Sequence, residues 1–530
     1  MTDRAPFERV LIANRGEIAV RIIRACRELG MESVAVYSDA DEAAAHVRLA
    51  DVAVRIGPPP PTESYLRIDR VIEAAQATGA GAVHPGYGFL AERAAFARAC
   101  EDAGIAFVGP PSGTIEALGD KLAARRTAAS VDVPAVPGTL EPIPVERPDR
   151  VGGIVELARG IGFPLMVKAA AGGGGRGMRR VDRPEDLPAA LVAGSSEAAS
   201  AFGDGSVYIE RVIAPARHIE VQLLGDAHGE VVALGERDCS IQRRHQKLVE
   251  EAPAPGLTTE QRRHLHGRAI RLATAAGLRN AATAEFLYDA DGRFWFLEVN
   301  TRLQVEHGVT ELVSGLDIVR EQFLVAAGAP LSPEARSVAE RAATPRGHAI
   351  EVRISAEDPA RAFAPTPGTI MRWVMPAGPG VRVDTAIEAG DRVPPEYDNL
   401  IAKLMVHASD RASAIERLGR ALGEVEVGGV QTTLPFHAFI ARDAAFRAGT
   451  LSTGFVAERW DGEASHRSAA RAAQLAAALD VLGSEEEKRG QAVVTAAPAP
   501  PAAGPVGAAP RRSGSAWRLA GRAGSDRWPR

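Results

Sequence analysis

Short apolar runs separated by stretches of helical spacing set the pattern of the first ~115 residues. Arg9-Val-Leu-Ile-Ala13, Ser33-Val-Ala-Val-Tyr37, Val52-Ala-Val-Arg55 and Gly81-Ala-Val-His84 are too short for helices and rich in β-branched residues. Strands separated by helices predict a parallel α/β sheet, because a crossover that holds a helix brings the chain back in the same direction. The first turn, Asn14-Arg-Gly16, lacks the G-x-G-x-x-G spacing, which disfavours a Rossmann dinucleotide site. His84-Pro-Gly-Tyr-Gly-Phe89 ends the fourth strand in a glycine-rich turn, where backbone approaches another group closely or simply reverses.

Further on the pattern changes. A Pro-rich break at residues 134–148 precedes a region, about 152–208, that reads as an apolar strand, a glycine loop and a helix. Thr283-Ala-Glu285-Phe-Leu-Tyr288 and Phe294-Trp-Phe-Leu-Glu298-Val-Asn300 flank Asp291-Gly292, a strong hairpin signal. A two-residue loop there pairs Ala290 with Arg293 and sets Glu285 directly opposite Glu298. Alternation puts Phe294, Phe296, Glu298 and Asn300 on one face. Like charges directly opposite destabilise a sheet, so the facing carboxylates imply a cation between them. Few protein oxygens around a cation suit Mg²⁺, which one or two carboxylates and substrate phosphates usually hold. Arg302, Gln304, Glu306 and His307 follow at once, an order of groups that no core requires.

After Gly328-Ala-Pro330 the chain reads as strands and glycine turns from Gly347, then a helix near 412–423. An Ala-rich stretch with helical potential to Leu482 leads into an Ala/Pro/Gly linker at 491–510. The last twenty residues carry six arginines and one aspartate. At 530 residues, with 46 % hydrophobic and 24 % charged positions, this is the composition of a soluble multidomain protein. A net charge of −5 argues against a nucleic-acid binder. Cys26, Cys100 and Cys239 are far apart, fit a reducing compartment, and offer neither a disulfide framework nor a zinc site. No apolar run approaches the ~20 residues of a bilayer span. The stretch before the first strand is too short for a targeting peptide, so a cytoplasmic protein is expected.

Pro164-Leu-Met-Val-Lys168 and the glycines Gly172, Gly173, Gly174 and Gly175 make a strand and then a loop. Such a loop wraps oxygen anions with backbone N–H groups and can close as a lid, while Lys168 reaches an α- or β-phosphate. No Gly-Lys-Ser/Thr follows, so it is not a P-loop. Glu210, closing Val207-Tyr-Ile-Glu210, can receive an adenine amino group beside a backbone carbonyl. His218 and Glu220 share a strand face. Gln242-Arg-Arg-His245-Gln-Lys247 reads as a basic loop above phosphates.

Leu11-Ile-Ala-Asn-Arg-Gly-Glu-Ile-Ala19, His84-Pro-Gly-Tyr-Gly-Phe-Leu90, Gly119-Asp-Lys121, the glycine loop, Glu236-Arg-Asp-Cys-Ser-Ile-Gln-Arg-Arg-His-Gln-Lys247 and Glu298-Val-Asn-Thr-Arg-Leu-Gln-Val-Glu-His307 follow one another in that order. Together, over roughly residues 7–460, they resemble biotin carboxylase, the ATP-grasp component of biotin-dependent acyl-CoA carboxylases. The resemblance implies a multidomain α/β fold with an N-terminal parallel-sheet (pre-ATP-grasp) domain at 1–117. An ATP-grasp domain at 118–330 follows, its lid at about 140–210, then a mixed α+β C-terminal domain at 340–460 and a partly disordered tail at 461–530. It implies ATP, bicarbonate and Mg²⁺ (or Mn²⁺) as ligands, and biotin as a substrate on a separate carrier protein. It also implies a homodimer whose partner is a carboxyltransferase subunit, with no nucleic acid and no membrane.

By resemblance, Lys121 and Lys168 match ATP lysines, and Glu210 with Ile213 an adenine-binding segment. His218, Gln242 and His245 match further nucleotide contacts, and Lys247 a lysine near the γ-phosphate and bicarbonate. Glu285, Glu298 and Asn300 match metal ligands. Arg302, Gln304 and Val305 match a bicarbonate site, and Glu306 its general base. Arg353 matches the arginine on the biotin ureido oxygen, with Tyr397-Asp398 as the far wall. Ala171, Arg211 and Arg93 depart from the family pattern, as does Gly308, which replaces a usual proline and is expected to loosen the loop holding Glu306. No Met-Lys-Met occurs, so no biotinylation lysine is recognisable.

Overall fold

The computed structural model describes residues 5–143, 145, 151–170, 178–465, 467, 471, 474, 475 and 477. Five parallel strands form the first sheet, in the order Val52–Gly57, Glu32–Ser38, Arg9–Ile12, Ala82–His84, Ala106–Phe107. Four were legible as apolar runs; the fifth is only two residues long and carries no periodicity. Asn14 lies just past the first strand, where its Nδ2 donates to the carbonyls of Pro85 (2.8 Å) and Tyr87 (2.7 Å). A Cβ on Gly86 would sit 2.9 Å from that nitrogen, so the glycine turn is indeed a close backbone approach.

The next segment folds as a three-stranded antiparallel sheet, Arg179–Val181, Leu165–Ala169, Val207–Arg211. It carries the helices Val151–Ile161 and Leu187–Phe202. The first of these was not foreseen, because Gly152 and Gly153 weaken the local helical signal. Gly172 to Gly175 lie outside the described residues, as do Ala171 and the 491–510 linker.

An eight-stranded sheet forms the centre and continues without a break into the C-terminal part. Its order is Phe294–Asn300, Asn280–Asp289, Ala216–Gly225, Val231–Arg243, Gln246–Ala252, His348–Ser355, Leu400–Ala408, Val381–Thr385. On one face Ile219, Val221, Ala284, Phe286 and Phe296 join Leu265, Ala269 and Leu272 of the helix Thr259–Ala275 in an apolar core. Alternation therefore commits the opposite face to His218, Glu220, Gln222, Thr283 and Glu285. The helix expected near 412–423 runs Arg411–Glu424 and covers the C-terminal strands.

Residues 360–362 and the described residues from 461 onward belong to a second unit. Among its described residues, Asp461 Oδ1 accepts from the Ala464 N–H at 2.9 Å, capping a helical turn. Among the described residues no helix is long and apolar enough to cross a membrane.

Candidate active site

Glu285 and Glu298 are cross-strand partners, as the hairpin signal implied, but the route differs. The Asp289 N–H donates to the Arg293 carbonyl at 3.0 Å, so the loop holds three residues, with Gly292 at φ +79°. This displaces the register by one, until an extra residue, Leu297, restores it between Phe286–Phe296 and Glu285–Glu298. The bulge also corrects the expected face. Phe294, Phe296 and Val299 enter the core, while Glu298 and Asn300 point to the polar side with Glu285.

The facing carboxylates hold side-chain cations. Asp120 caps the helix Lys121–Ser130 and so places Lys121 in its first turn, where Nζ lies 2.8 Å from Glu298 Oε2. Lys247 Nζ donates to Glu285 Oε1 (2.9 Å) and Glu306 Oε1 (2.7 Å), and also to Glu220. His218 Nε2 is 3.0 Å from Glu285 Oε2, and Asn300 Nδ2 donates to Glu285 Oε1 at 2.9 Å. Lys121 holds the Glu298 carboxyl below its usual range, against burial. Burial pushes Glu285 up, but Lys247 and His218 outweigh it and hold the group strongly acidic. Hard oxygen donors, already converged and ionised, fit a divalent cation that displaces the ammonium groups.

Lys168 does not stand free. Its Nζ lies 2.5 Å from Glu210 Oε2, and Arg125 Nη1 donates to Glu210 Oε1 at 2.6 Å. The Glu210 carboxylate, expected to face an adenine amino group, is therefore engaged by two cations. Ile213, half-buried, follows directly after this strand. Gln242 to Lys247 is a hairpin rather than a loop: Gln242 pairs with Lys247, and Arg244 (φ +48°) and His245 (φ +67°) make the turn. Both turn residues sit in the left-handed region that Asn-Gly would fill without strain. His245 is exposed at the tip, and Gln242 is buried behind it.

Arg302 begins the second half of the site. Its Nη1 donates to Gln304 Oε1 (3.1 Å) and its Nε to Glu92 Oε2 (2.9 Å). Gln304 is 4 % exposed, yet its Nε2 has no hydrogen-bond partner among the described residues, so a buried donor stands ready for an anion beside a guanidinium. The Val305 carbonyl accepts from Lys403 Nζ at 2.9 Å. Glu306 is fully buried at the start of the helix His307–Ser314, with Oε1 on Lys247 and Oε2 on Arg353 Nη2 (2.8 Å). Burial raises its pKa, but Lys247, Arg353 and Arg237 override that and hold it well below the ordinary value. Arg353 also donates through Nε to Glu250 Oε1 at 2.6 Å.

Gly308 does not loosen this segment. It is buried in the helix, and a Cβ there would lie 2.3 Å from Met405 Sδ, so a larger side chain on the neighbouring strand has taken the space. Tyr397 and Asp398, expected as the far wall of a biotin site, make contacts of their own. The Tyr397 hydroxyl is 2.6 Å from Ser38 Oγ and donates to the Pro59 carbonyl (2.5 Å), while Arg15 lies 4.4 Å above its ring. It thus joins the C-terminal part to the first sheet, and Asp398, exposed, accepts from the Leu400 N–H at 2.7 Å.

Several residues of this site escaped the sequence reading. Arg237, fully buried, donates to Glu220 Oε1 (2.5 Å), Gln222 Oε1 (2.8 Å) and Thr310 Oγ1 (2.9 Å). Its signal was a charged run, Glu236-Arg-Asp238, inside a long strand. Glu92, Glu250 and Lys403 gave no local signal, because each becomes meaningful only beside a residue far away in sequence.

Three family models match the chain: the biotin carboxylase N-terminal domain at residues 6–115, the carbamoyl-phosphate synthase L chain ATP-binding domain at 120–334, and the biotin carboxylase C-terminal domain at 351–458. A biotin carboxylase from Nostoc sp. is 48 % identical over 452 residues, which cover 85 % of this chain and 99 % of the relative. A pyruvate carboxylase subunit from Methanothermobacter thermautotrophicus is 50 % identical, over 85 % of this chain and 90 % of its own. The biotin carboxylase domain dimer of Hydrogenobacter thermophilus 2-oxoglutarate carboxylase, solved with MgADP, ADP and bicarbonate, superposes with a TM-score of 0.81 at 44 % identity, covering 85 % of this chain and 97 % of that one.

Proposed function

Because the chain belongs to the biotin carboxylase family, we propose that its two linked half-sites carry out ATP- and bicarbonate-dependent carboxylation of biotin borne on a separate carrier protein. The observation that carries the reading is the unpartnered Gln304 amide next to Arg302, with Glu306 two residues on and Lys247 bonded to that carboxylate. Glu285, Glu298 and Asn300 would hold Mg²⁺ with ATP; the ion neutralises phosphate charge as the γ-phosphoryl group moves. Lys121 and Lys168 would turn from their carboxylates to phosphate oxygens.

At rest Glu306 is a poor base, since Lys247 and Arg353 both stabilise its carboxylate. Anionic substrates compete for those two cations. Phosphates draw Lys247 and the ureido oxygen of biotin draws Arg353, so Glu306 gains basicity when both substrates are in place. Bicarbonate held by Arg302 and Gln304 then loses its proton to Glu306 and attacks the γ-phosphorus, giving carboxyphosphate and ADP. Carboxyphosphate breaks down to CO₂ and phosphate. The phosphate takes the biotin N1′ proton, Arg353 stabilises the ureido enolate, and N1′ attacks CO₂.

The chain is read as a component of an acyl-CoA carboxylase of acetyl- or propionyl-CoA type, working as a cytoplasmic homodimer whose partner is a carboxyltransferase subunit. The test is bicarbonate-dependent release of ADP, stimulated by free biotin. Glu306→Gln is expected to lower it by at least about a hundredfold while ATP still binds. Turnover near the parent's level in that variant would overturn the assignment of the base.

A further inference from the structure

Lys403 is 0 % exposed in the middle of the strand Leu400–Ala408. Its Nζ donates to the Val305 carbonyl at 2.9 Å and lies 3.2 Å from Glu17 Oε1 and 3.8 Å from Asp384 Oδ2. Burial favours the neutral amine, but the neighbouring carboxyls, Glu17 foremost, outweigh it, so the ammonium stays charged. Those partners come from distant parts of the chain. Glu17 sits on the helix Gly16–Glu28 that follows the first strand, and Asp384 is the cross-strand neighbour of Lys403 itself. Tyr87, from the glycine turn, donates its hydroxyl to Glu17.

A planar trans peptide moves as one body, so holding the Val305 carbonyl fixes the plane that leads into Glu306. The preceding carbonyl, of Gln304, is held separately by the ring of His307 (Nδ1 at 2.8 Å). The loop that presents the Gln304 amide and the Glu306 carboxylate is thus pinned at successive carbonyls, one of them by a full buried charge. We propose that Lys403 is a positioning residue for bicarbonate, with Glu17 keeping it charged and aimed. This assigns work to the Asn14-Arg-Gly-Glu17 turn. It rests on the reading of Arg302 to Glu306 as the bicarbonate site.

Steady-state kinetics of Lys403→Met, Glu17→Gln, the double variant and Arg302→Met separate the alternatives. Lys403→Met is expected to raise KM for bicarbonate by about tenfold or more, the loss of one hydrogen bond to a charged group, and to leave KM for ATP within about twofold. The double variant removes the stranded carboxylate along with the amine. It should regain much of the melting temperature that Lys403→Met loses, yet keep the high bicarbonate KM. Recovery of both quantities in the double variant would make Lys403 a purely structural counter-ion and overturn the proposal. So would an unchanged bicarbonate KM in Lys403→Met when Arg302→Met raises it. If Arg302→Met also leaves that KM unchanged, the bicarbonate site itself has been misplaced. Should Lys403→Met fail to fold, the double variant carries the same kinetic comparison.

Discussion

Two pairs of glutamates face each other across adjacent strands of the central sheet, and their carboxyls are shifted in opposite directions. Glu285 and Glu298 are both held acidic, by Lys247 and His218 on one side and Lys121 on the other. Glu250 and Glu351 share the same cross-strand geometry. Arg353 reaches only one oxygen of Glu250, whose Oε2 has no hydrogen-bond partner, and neither oxygen of Glu351 has one among the described residues. Burial pushes Glu250 up to about 7 despite Arg353, and Glu351 well above its ordinary value. Strand pairing is common to both, so the balance of burial and neighbouring charge decides the outcome: Glu306 adds its repulsion to burial at Glu250 and Glu351, whereas cations outweigh burial at Glu285 and Glu298. One pair is ready to exchange ammonium groups for a divalent ion. The other keeps a proton behind the arginine that faces biotin in the proposed reaction.

The sharpest way to break this contrast is to neutralise one member of the ionised pair. Glu285→Gln should cut bicarbonate-dependent ATP cleavage by about a hundredfold or more and raise the Mg²⁺ concentration needed for half-maximal rate. A normal Mg²⁺ requirement would remove this pair from the cation site. A smaller effect is expected from Glu250→Gln. Because the folded-state pKa of Glu250 is raised, its contribution to stability is full below the ordinary value of 4.5 and is lost as pH rises through about 7. The variant cannot ionise, so its denaturation midpoint should gain on the parent between pH ~5 and pH ~8. A difference that does not change with pH would mean that Glu250 is ionised throughout. The smallest effect concerns packing beside the second pair. Gly308→Ala places a Cβ 2.3 Å from Met405 Sδ and 3.5 Å from Glu351 Oε2, which should cost about 1–3 kcal/mol of stability. Adding Met405→Val should return most of that loss in a denaturant titration, and no recovery would point to the backbone instead.

Much of the first half-site was legible because its groups lie close in sequence. Glu285 and Glu298 flank one hairpin, and Asn300 follows two residues later. Even so, the expected register came from two compensating differences, a longer loop and the bulge at Leu297, and alternation alone put Glu298 on the wrong face. Bulges insert a residue without any compositional mark, so a period of two cannot see them. The parallel sheet was legible down to strands of three or four residues, and the helix Val151–Ile161 was hidden by its glycines. The second half-site depends on pairs more than fifty residues apart, such as Lys247 with Glu306, Arg302 with Glu92 and Arg353 with Glu250. Family motifs pointed to the residues that touch substrate in the proposed reaction, whereas Glu92, Glu250 and Lys403 emerge only from three-dimensional proximity. The contacts of the Tyr397 hydroxyl with Ser38 and Pro59 likewise join residues far apart in sequence.

The unbroken eight-stranded sheet has a mechanical consequence. Lys247 lies on the strand Gln246–Ala252 and Arg353 on its hydrogen-bonded neighbour His348–Ser355. The groups proposed to serve phosphate and biotin are therefore set at a fixed spacing by a ladder of backbone bonds, like marks on a single ruler. No hinge can open between them, so motion during turnover has to come from side chains and from the separate three-stranded sheet that carries Lys168.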